Sequence, residues 1–441
     1  MANIIIIRQQ GRLCHIESKI DDKLNNYLNK SLSYTKPGAR FLANPFWAKV
    51  FLYSIKRQVF PIGLLDKVKT IMEEWKKQNG EDYTIILNPK LQQIPISLDG
   101  LRDYQVDAFN AIWKNCGGLL CAATGSGKSL CGKKILEASG NVKKLVLVPS
   151  KDLKFQWDED LKTMKNVRIS TYQKIVRELK TEEGKKELNS YDVILGDEIH
   201  LCAAKTFYKV LMNCSNAKMV VGMTATATGR SDGEDMKIIA AVGDIVYTIP
   251  IQELTAKGYL VPAKVNIINI EKYQVGPMDE YRDIYTNGIV KNKERNEKAV
   301  DIAIQESKKG VVLVYIDIIE HGETLLKMFK DKKQKGVIFV HGNVKERKKI
   351  LQDVVRGKYS IVIGSKIYGT GINVPKFTAL VLVGGGRGTI KIIQLSGRML
   401  RLNEGKDIVN IYDFKDDCKN LKTHYQKRIK IYKDLGFDVE E

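Results

Sequence analysis

The sequence lacks any uninterrupted apolar run of about 18 residues, so no segment is expected to span a membrane. It lacks a Gly-x-y period and low-complexity tracts, which excludes a fibre and wholesale disorder. No C-x-x-C pair occurs among its seven cysteines, Cys14, Cys116, Cys121, Cys131, Cys202, Cys214 and Cys418. Odd in number and set among apolar neighbours, they are expected to be free thiols in a reducing compartment, the cytoplasm, and not disulfides or zinc ligands. The front, Met1 to Asn3 before Ile4–Ile7 and Arg8, is too short and uncharged for a secretory signal and is expected to open a first strand. No amphipathic basic anchor or lipidation motif is seen, so no membrane partner is expected.

Negative charge is the scarcest commodity. Lys+Arg number 72 against 51 Asp+Glu, a net charge of +21. A globular chain this basic is expected to face a polyanion, because each Lys or Arg near a phosphate can release condensed counterions. Nucleic acid is the partner that fits. With 441 residues, 44% of them hydrophobic, the chain can bury cores for roughly three domains.

From about residue 100, short β-branched runs alternate with helix-length segments: 145–148, 193–195, 219–223, 311–316, 337–340, 361–363, 379–383 and 408–412. Continuous apolar runs separated by helices predict parallel strands buried on both faces. They fall into two sets around a segment, roughly 271–296, read as an irregular basic linker. The expected fold is α/β: two parallel-sheet lobes in tandem, at 96–265 and 266–415, behind a small N-terminal α+β domain at 1–95. A charged helical tail is expected at 416–441. Aromatic and basic residues interleave from Arg40 to Phe60. Either the aromatics form the small domain's core, or they stack on bases while cations such as Arg40 and Lys49 track phosphates.

Ala122-Ala123-Thr124-Gly125-Ser126-Gly127-Lys128-Ser129 follows an apolar pair and opens a helical segment. Its glycines let successive N–H groups of Thr124 to Gly127 face a phosphate chain. Lys128 would reach the β- and γ-phosphates of ATP, and the Ser129 hydroxyl would hold Mg²⁺. Val193–Leu195 leads into Gly196-Asp197-Glu198-Ile199-His200, a buried strand ending in two carboxylates. Asp197 suits the metal and Glu198 the base that activates water. In Gln394-Leu395-Ser396-Gly397-Arg398-Met399-Leu400-Arg401, a spacing of three puts both arginines on one side of a helix, able to face a phosphate.

In that order and on two successive lobes, these elements resemble the motifs of superfamily 2 helicases, whose phosphate loop begins with Ala. The resemblance implies RecA-like lobes, ATP with Mg²⁺, and further assignments. Leu101 to Gln105 looks like the adenine-reading segment, which brings in Arg102 and Gln105. Val148-Pro149-Ser150-Lys151 and Ile169-Ser170-Thr171-Tyr172 match strand-contacting motifs, through Ser150, Lys151 and Thr171. Thr224-Ala225-Thr226 resembles the motif that couples the lobes, with His200 as a partner in coupling. The segment from Gly364-Ser365 to Gly369-Thr370-Gly371-Ile372-Asn373 matches a second-lobe motif touching nucleic acid and nucleotide. Gln394 joins Glu198, Lys128, Arg398 and Arg401 in the implied catalytic set.

Leu-Arg-x-Tyr-Gln and Asp-Glu-x-His are similar to the XPB group and to UvsW-type phage helicases. That similarity implies an ATP-driven, 3′-to-5′ DNA helicase, encoded by a phage, that remodels branched or forked DNA by branch migration, fork regression and R-loop unwinding in replication, recombination or repair. The alternatives are a translocating motor of a restriction or nuclease assembly, and an RNA helicase. A non-enzymatic ATP-locked clamp would need a broken catalytic set, and this set is whole. Protein partners are not indicated.

Overall fold

Apolar strand runs alternating with amphipathic helices bury both faces of a sheet only when helices cover each side, and the chain does this twice. The computed structural model describes residues 4–39, 44–202, 204–226, 233–271, 273–274, 276, 280–341, 347–364, 376–386 and 389–440. They divide into two compact units, Met1–Ala122 with Gly127–Ile249, and Ala123–Ser126 with Pro250–Glu441. No helix among the described residues is long and apolar enough to cross a membrane.

In the first unit, strands β1 (Ile5–Gln10), β2 (Leu13–Ile16), β3 (Ser33–Thr35), β4 (Lys49–Phe51), β5 (Val59–Pro61) and β6 (Tyr83–Ile86) make an α+β layer. The main sheet runs β5-β2-β1-β6, while β3 and β4 pair by themselves. Alternation along β1 buries Ile5 and Ile7. They join Leu24 and Leu28 of helix Asp22–Ser31, which is capped by Asp21, and Val68 and Met72 of helix Leu65–Asn79.

The same unit continues with β7 (Gly117–Ala122), β8 (Lys144–Val148), β9 (Val167–Thr171), β10 (Val193–Gly196), β11 (Met219–Thr224) and β12 (Ile245–Ile249). Every pair is parallel, in the order β12-β7-β11-β10-β8-β9. Helix Asp235–Val242, after β11, serves two cores. Ile238, Ala241 and Val242 enter the parallel-sheet core, and Ala240, with Met236 and Ile239, packs against the N-terminal core. Close approach there requires glycine: a Cβ on Gly63 would lie 2.2 Å from the Ile239 carbonyl oxygen. Arg12 Nη2 donates to the Ala241 carbonyl at 2.5 Å, using a free acceptor near the helix C-terminus.

The second unit holds β13 (Ala263–Asn269), β14 (Val311–Tyr315), β15 (Val337–Val340), β16 (Ile361–Gly364), β17 (Phe377–Leu382), β18 (Val409–Lys415) and β19 (Asp438–Glu440). Its sheet order is β15-β16-β14-β17-β18-β13-β19, again all parallel. Two parallel-sheet lobes behind an α+β region are therefore the fold, as the strand pattern predicted.

The segment read as an irregular basic linker is different. Helix Tyr281–Tyr285 runs into a π-turn at Thr286–Val290, and helix Lys293–Glu306 follows. Ile284, Tyr285, Ile289 and Val290 are buried against Cys418 and Leu421. Apolar residues among its lysines, too few for a clear period, supply that packing. Charge-rich composition also concealed the inward face of helix Lys419–Asp434. There Arg428, fully buried, donates from Nε to Asp413 at 2.8 Å and from Nη2 to Asp416 at 3.0 Å. Asp416 also accepts from Arg295 at 2.6 Å, and Tyr432 donates to Asp413 at 3.0 Å.

His321 lies beside this network, with Nε2 2.7 Å from Asn296 Oδ1. Burial, reinforced by the Arg295 charge, depresses its pKa to about 3. A His neutral in the fold and titrating near 6.5 when unfolded takes up its proton preferentially in the unfolded state as pH falls. The second unit is thus expected to lose about 2 kcal/mol between pH 7 and pH 5 from this residue. Urea unfolding of wild type and His321→Gln at both pH values checks it; equal losses in the two proteins would assign the pH effect elsewhere.

Candidate nucleotide and nucleic-acid site

The phosphate loop is bent by glycines in the left-handed region, Gly125 at φ 95° and Gly127 at φ 77°. Ser126 N donates to the Ala123 carbonyl at 3.1 Å, closing the turn, and helix Lys128–Ala138 begins directly after it. Helix N-termini carry free N–H groups and the positive end of the dipole, so the loop is built for an anion. Lys128 is buried, with Nζ 3.2 Å from Glu198 Oε1, while Ser129 is exposed at the helix start. Thr124 Oγ1 is buried with no hydrogen-bond partner among the described residues, as expected of a group awaiting a ligand.

β10 delivers the carboxylates. Asp197 is buried; its Oδ2 accepts from Trp157 Nε1 at 2.9 Å and its Oδ1 from the Glu198 N–H at 2.8 Å. Burial, together with the neighbouring Glu198 charge, raises Asp197 to about 6. A cation at that position would reverse this cost. Glu198 sits at φ 45°, a left-handed conformation that a non-glycine residue adopts at a price in strain, and such residues gather at functional sites. Its two oxygens divide between Lys128 Nζ and His200 Nδ1, the latter at 3.3 Å. His200 Nδ1 is also 2.8 Å from Thr224 Oγ1, which donates to the Thr226 carbonyl at 2.8 Å and accepts from the Thr226 N–H at 3.1 Å. One polar chain thus runs from Lys128 through Glu198 and His200 to Thr224 and Thr226.

Gln105 is buried at the start of helix Asp103–Asn115. Its Oε1 accepts from the Arg102 N–H at 2.9 Å, the N3 half of a capping box, since an arginine N-cap has no acceptor to return. Its Nε2 borders the phosphate loop so closely that a Cβ on Gly127 would lie 2.3 Å away. Arg102 Nη1 donates to the Tyr104 hydroxyl at 3.2 Å. Ser150 and Thr171, at the C-terminal ends of β8 and β9, cap the helices that follow, and Lys151 is exposed beside Ser150.

Among the described residues, no three His, Cys, Asp or Glu cluster as a metal cage. The residues present still fit Mg²⁺, which needs only one or two protein oxygens when phosphates and waters complete its shell. Ser129 and Asp197 would hold it. Trp157, which fixes Asp197, was not foreseen and occupies no position that a motif marks as functional. Tyr172, quoted only within a strand-contacting motif, has its hydroxyl 3.5 Å from the Asp197 carbonyl.

In the second unit, Gln394 and Arg398 lie in helix Thr389–Met399; of Gln394 only the backbone is described. Arg401 follows the helix, its backbone pinned by a bridge to Leu260 and by Lys406 Nζ on its carbonyl at 3.0 Å. Burial lowers its pKa below the usual arginine value. Gly364 ends β16, whereas Arg40, Ser365 and Gly371 lie outside the described residues. Lys49 is in β4, with Nζ 5.2 Å from the Phe51 ring centre.

Residues 99–229 match the family model of the type III restriction enzyme res subunit, and residues 294–403 that of the helicase conserved C-terminal domain. The DNA 3′-5′ helicase XPB of Mycobacterium tuberculosis is 27% identical over 73% of the chain and 62% of its own length. The ATP-dependent DNA helicase uvsW of Enterobacteria phage T4 is 24% identical over 63% of the chain and 54% of its own length. The matched part of the chain thus spans less than two thirds of either relative. The fold is shared with an HsdR-subunit fragment of a type I restriction enzyme from Vibrio vulnificus, at TM-score 0.60, 20% identity, and coverage of 77% and 68% of the two chains.

With both lobes and both domain matches in place, the chain belongs to the superfamily 2 helicases. That class uses ATP to unwind nucleic acid. Within it, the chain falls in the group of XPB and UvsW.

Proposed function

We propose that the protein is an ATP-dependent DNA helicase or translocase of 3′-to-5′ polarity that remodels branched or forked DNA, acting in a cytoplasm. The polar chain from Lys128 to Thr226 carries this reading, because it ties the phosphate loop to the coupling motif through the candidate base. The phosphate loop and Lys128 bind and orient the nucleotide, and Mg²⁺ at Ser129 and Asp197 supplies charge stabilisation when bound. Glu198 takes the proton of the attacking water. Its pairing with Lys128 and its approach to His200 fix where its oxygens lie, and His200 in turn meets Thr224. Arg398 and Arg401 meet the charge that develops on the transferred phosphoryl. Gln105 and Arg102 face the base, while Ser150, Lys151, Thr171 and Gly364 contact a strand. Two basic lobes of this kind track phosphates, so DNA shape is read elsewhere.

ATPase rates with single strand, duplex, fork, four-way junction and RNA at equal nucleotide concentration test it. Fork or junction stimulation above linear duplex is expected; stimulation by RNA alone would overturn the DNA assignment. Arg401→Ala is expected to lower kcat by about 10³-fold or more while leaving nucleotide affinity within a few-fold. Weak ATP binding at normal kcat would place Arg401 in ground-state binding instead.

The res-subunit match favours a second reading, the motor of a restriction assembly. It requires a nuclease from a partner, and ATP-dependent cleavage of linear DNA by the protein with such a partner would select it.

A further inference from the structure

The interleaved stretch from Arg40 to Phe60 resolves into two populations. Tyr53 and Phe60 are 3% and 0% exposed and belong to the N-terminal core. Phe46 and Trp47 are 62% and 73% exposed, and Phe51 is 37% exposed. Solvent-facing aromatics of this size are costly to leave bare, so a grouped set marks a binding surface.

The group is built, not frayed. Asn44 caps the single turn Pro45–Ala48 by accepting from the Phe46 N–H at 2.9 Å, and the Lys36 N–H donates to the Ala48 carbonyl at 2.9 Å. The β3–β4 ladder then pairs Thr35 with Lys49 and Ser33 with Phe51. Phe46 and Phe51 rings lie 5.7 Å apart.

Charge selects the occupant. Between Asp22 and Asp66 the sequence contains no carboxylate, while Lys23, Lys30, Lys36, Lys49, Lys56 and Arg57 are among its cations. A protein-docking patch with a mixed rim would carry both signs. Aromatic faces on a segment whose own charged residues are all cations fit unpaired bases whose phosphates run alongside. Placement agrees. Lys36 Nζ is 3.1 Å from Glu234, itself buried and bound by Lys237 at 3.1 Å, immediately before helix Asp235–Val242. That helix starts at the edge of the parallel sheet where β11 ends, the same edge that carries Ser150 and Thr171 beyond β8 and β9.

We propose that Phe46, Trp47 and Phe51 form a stacking platform for unpaired DNA bases where a single strand leaves a duplex. The platform rests on the DNA reading above and adds the means by which a fork is told from a linear end.

The test uses full-length protein and a fork carrying 2-aminopurine at its first unpaired position. Wild type is expected to change the probe's fluorescence on binding. Trp47→Ala and Phe46→Ala should abolish that change and weaken fork binding about 5- to 100-fold, the range for one lost stack. Trp47→Phe should recover most of the affinity. The slope of log affinity against log salt should not change, because no phosphate contact is removed. ATPase at saturating single strand should stay within twofold. Wild-type fork affinity in both alanine variants, with DNA-stimulated ATPase intact in wild type, would overturn the platform alone. A slope reduced by about one contact would also overturn it, in favour of a phosphate role. Wild type without DNA stimulation would instead overturn the DNA reading, and the platform with it.

Discussion

Glu198→Gln is expected to bind ATP with near wild-type affinity and to hydrolyse it about 10²–10⁴-fold more slowly, the usual cost of removing a general base. The amide keeps the shape that fits the strained backbone at φ 45° but cannot take a proton. It also removes the charge that pairs with Lys128 at 3.2 Å, so the lysine is freer to meet phosphate and affinity has no reason to fall. Lys128→Ala should act differently. It takes away the counter-charge of the phosphates and the cation paired with Glu198, so both nucleotide binding and turnover fall. Fluorescent-nucleotide titration and DNA-stimulated turnover of the two variants make the comparison. Glu198→Gln retaining more than about half of wild-type turnover would remove Glu198 from the role of base.

Arg428→Met is expected to destabilise the second unit by about 3–5 kcal/mol. The loss comes less from the missing attraction than from what remains. Asp413 and Asp416, both buried, would be left with Arg295, Tyr432 and the Phe414 N–H to satisfy four oxygens. The Gly385 carbonyl would also lose its donor at 3.2 Å. Urea unfolding should show the second transition moving to lower denaturant with the first unchanged. A shift below about 1 kcal/mol would mean that the carboxylates find protons or water at little cost.

The lobes were legible because their strands are buried on both faces, and an apolar run such as Val311–Tyr315 has no other stable home. The nucleotide residues were legible because phosphate binding demands a loop chemistry, glycine and lysine before a helix, that little else produces. Strand β13 escaped because its alternation places polar residues at nearly half the positions, as in Ala263-Lys264-Val265-Asn266. β19 escaped because three residues carry no period. Helix Lys419–Asp434 hid its inward face for a different reason: Arg428 reads as surface charge until two aspartates close on it. Trp157 escaped for want of context, since only the fold brings a residue 40 positions away onto Asp197. In the Arg40–Phe60 stretch, composition alone gave no means of sorting Tyr53 from Trp47. A short capped turn does the sorting.

Helix Asp235–Val242 has no side left for water along much of its length, since one flank lies in the parallel-sheet core and the other in the N-terminal core. A single stiff rod shared by two cores cannot rotate in one without dragging the other. The N-terminal region is in that sense a lever arm bolted to the first lobe, with Gly63 and Arg12 as the bolts. The turn bearing Trp47 is tied to the head of the same rod, since Lys36 bonds the Ala48 carbonyl through its N–H and pairs with Glu234 through its ammonium. Cutting the arm away would have a second effect: Ile239, Ala240 and Met236 would become a sticky stripe. A shortened protein would then lose solubility before it revealed anything about DNA choice, and Trp47 is the cleaner place to interrogate the arm.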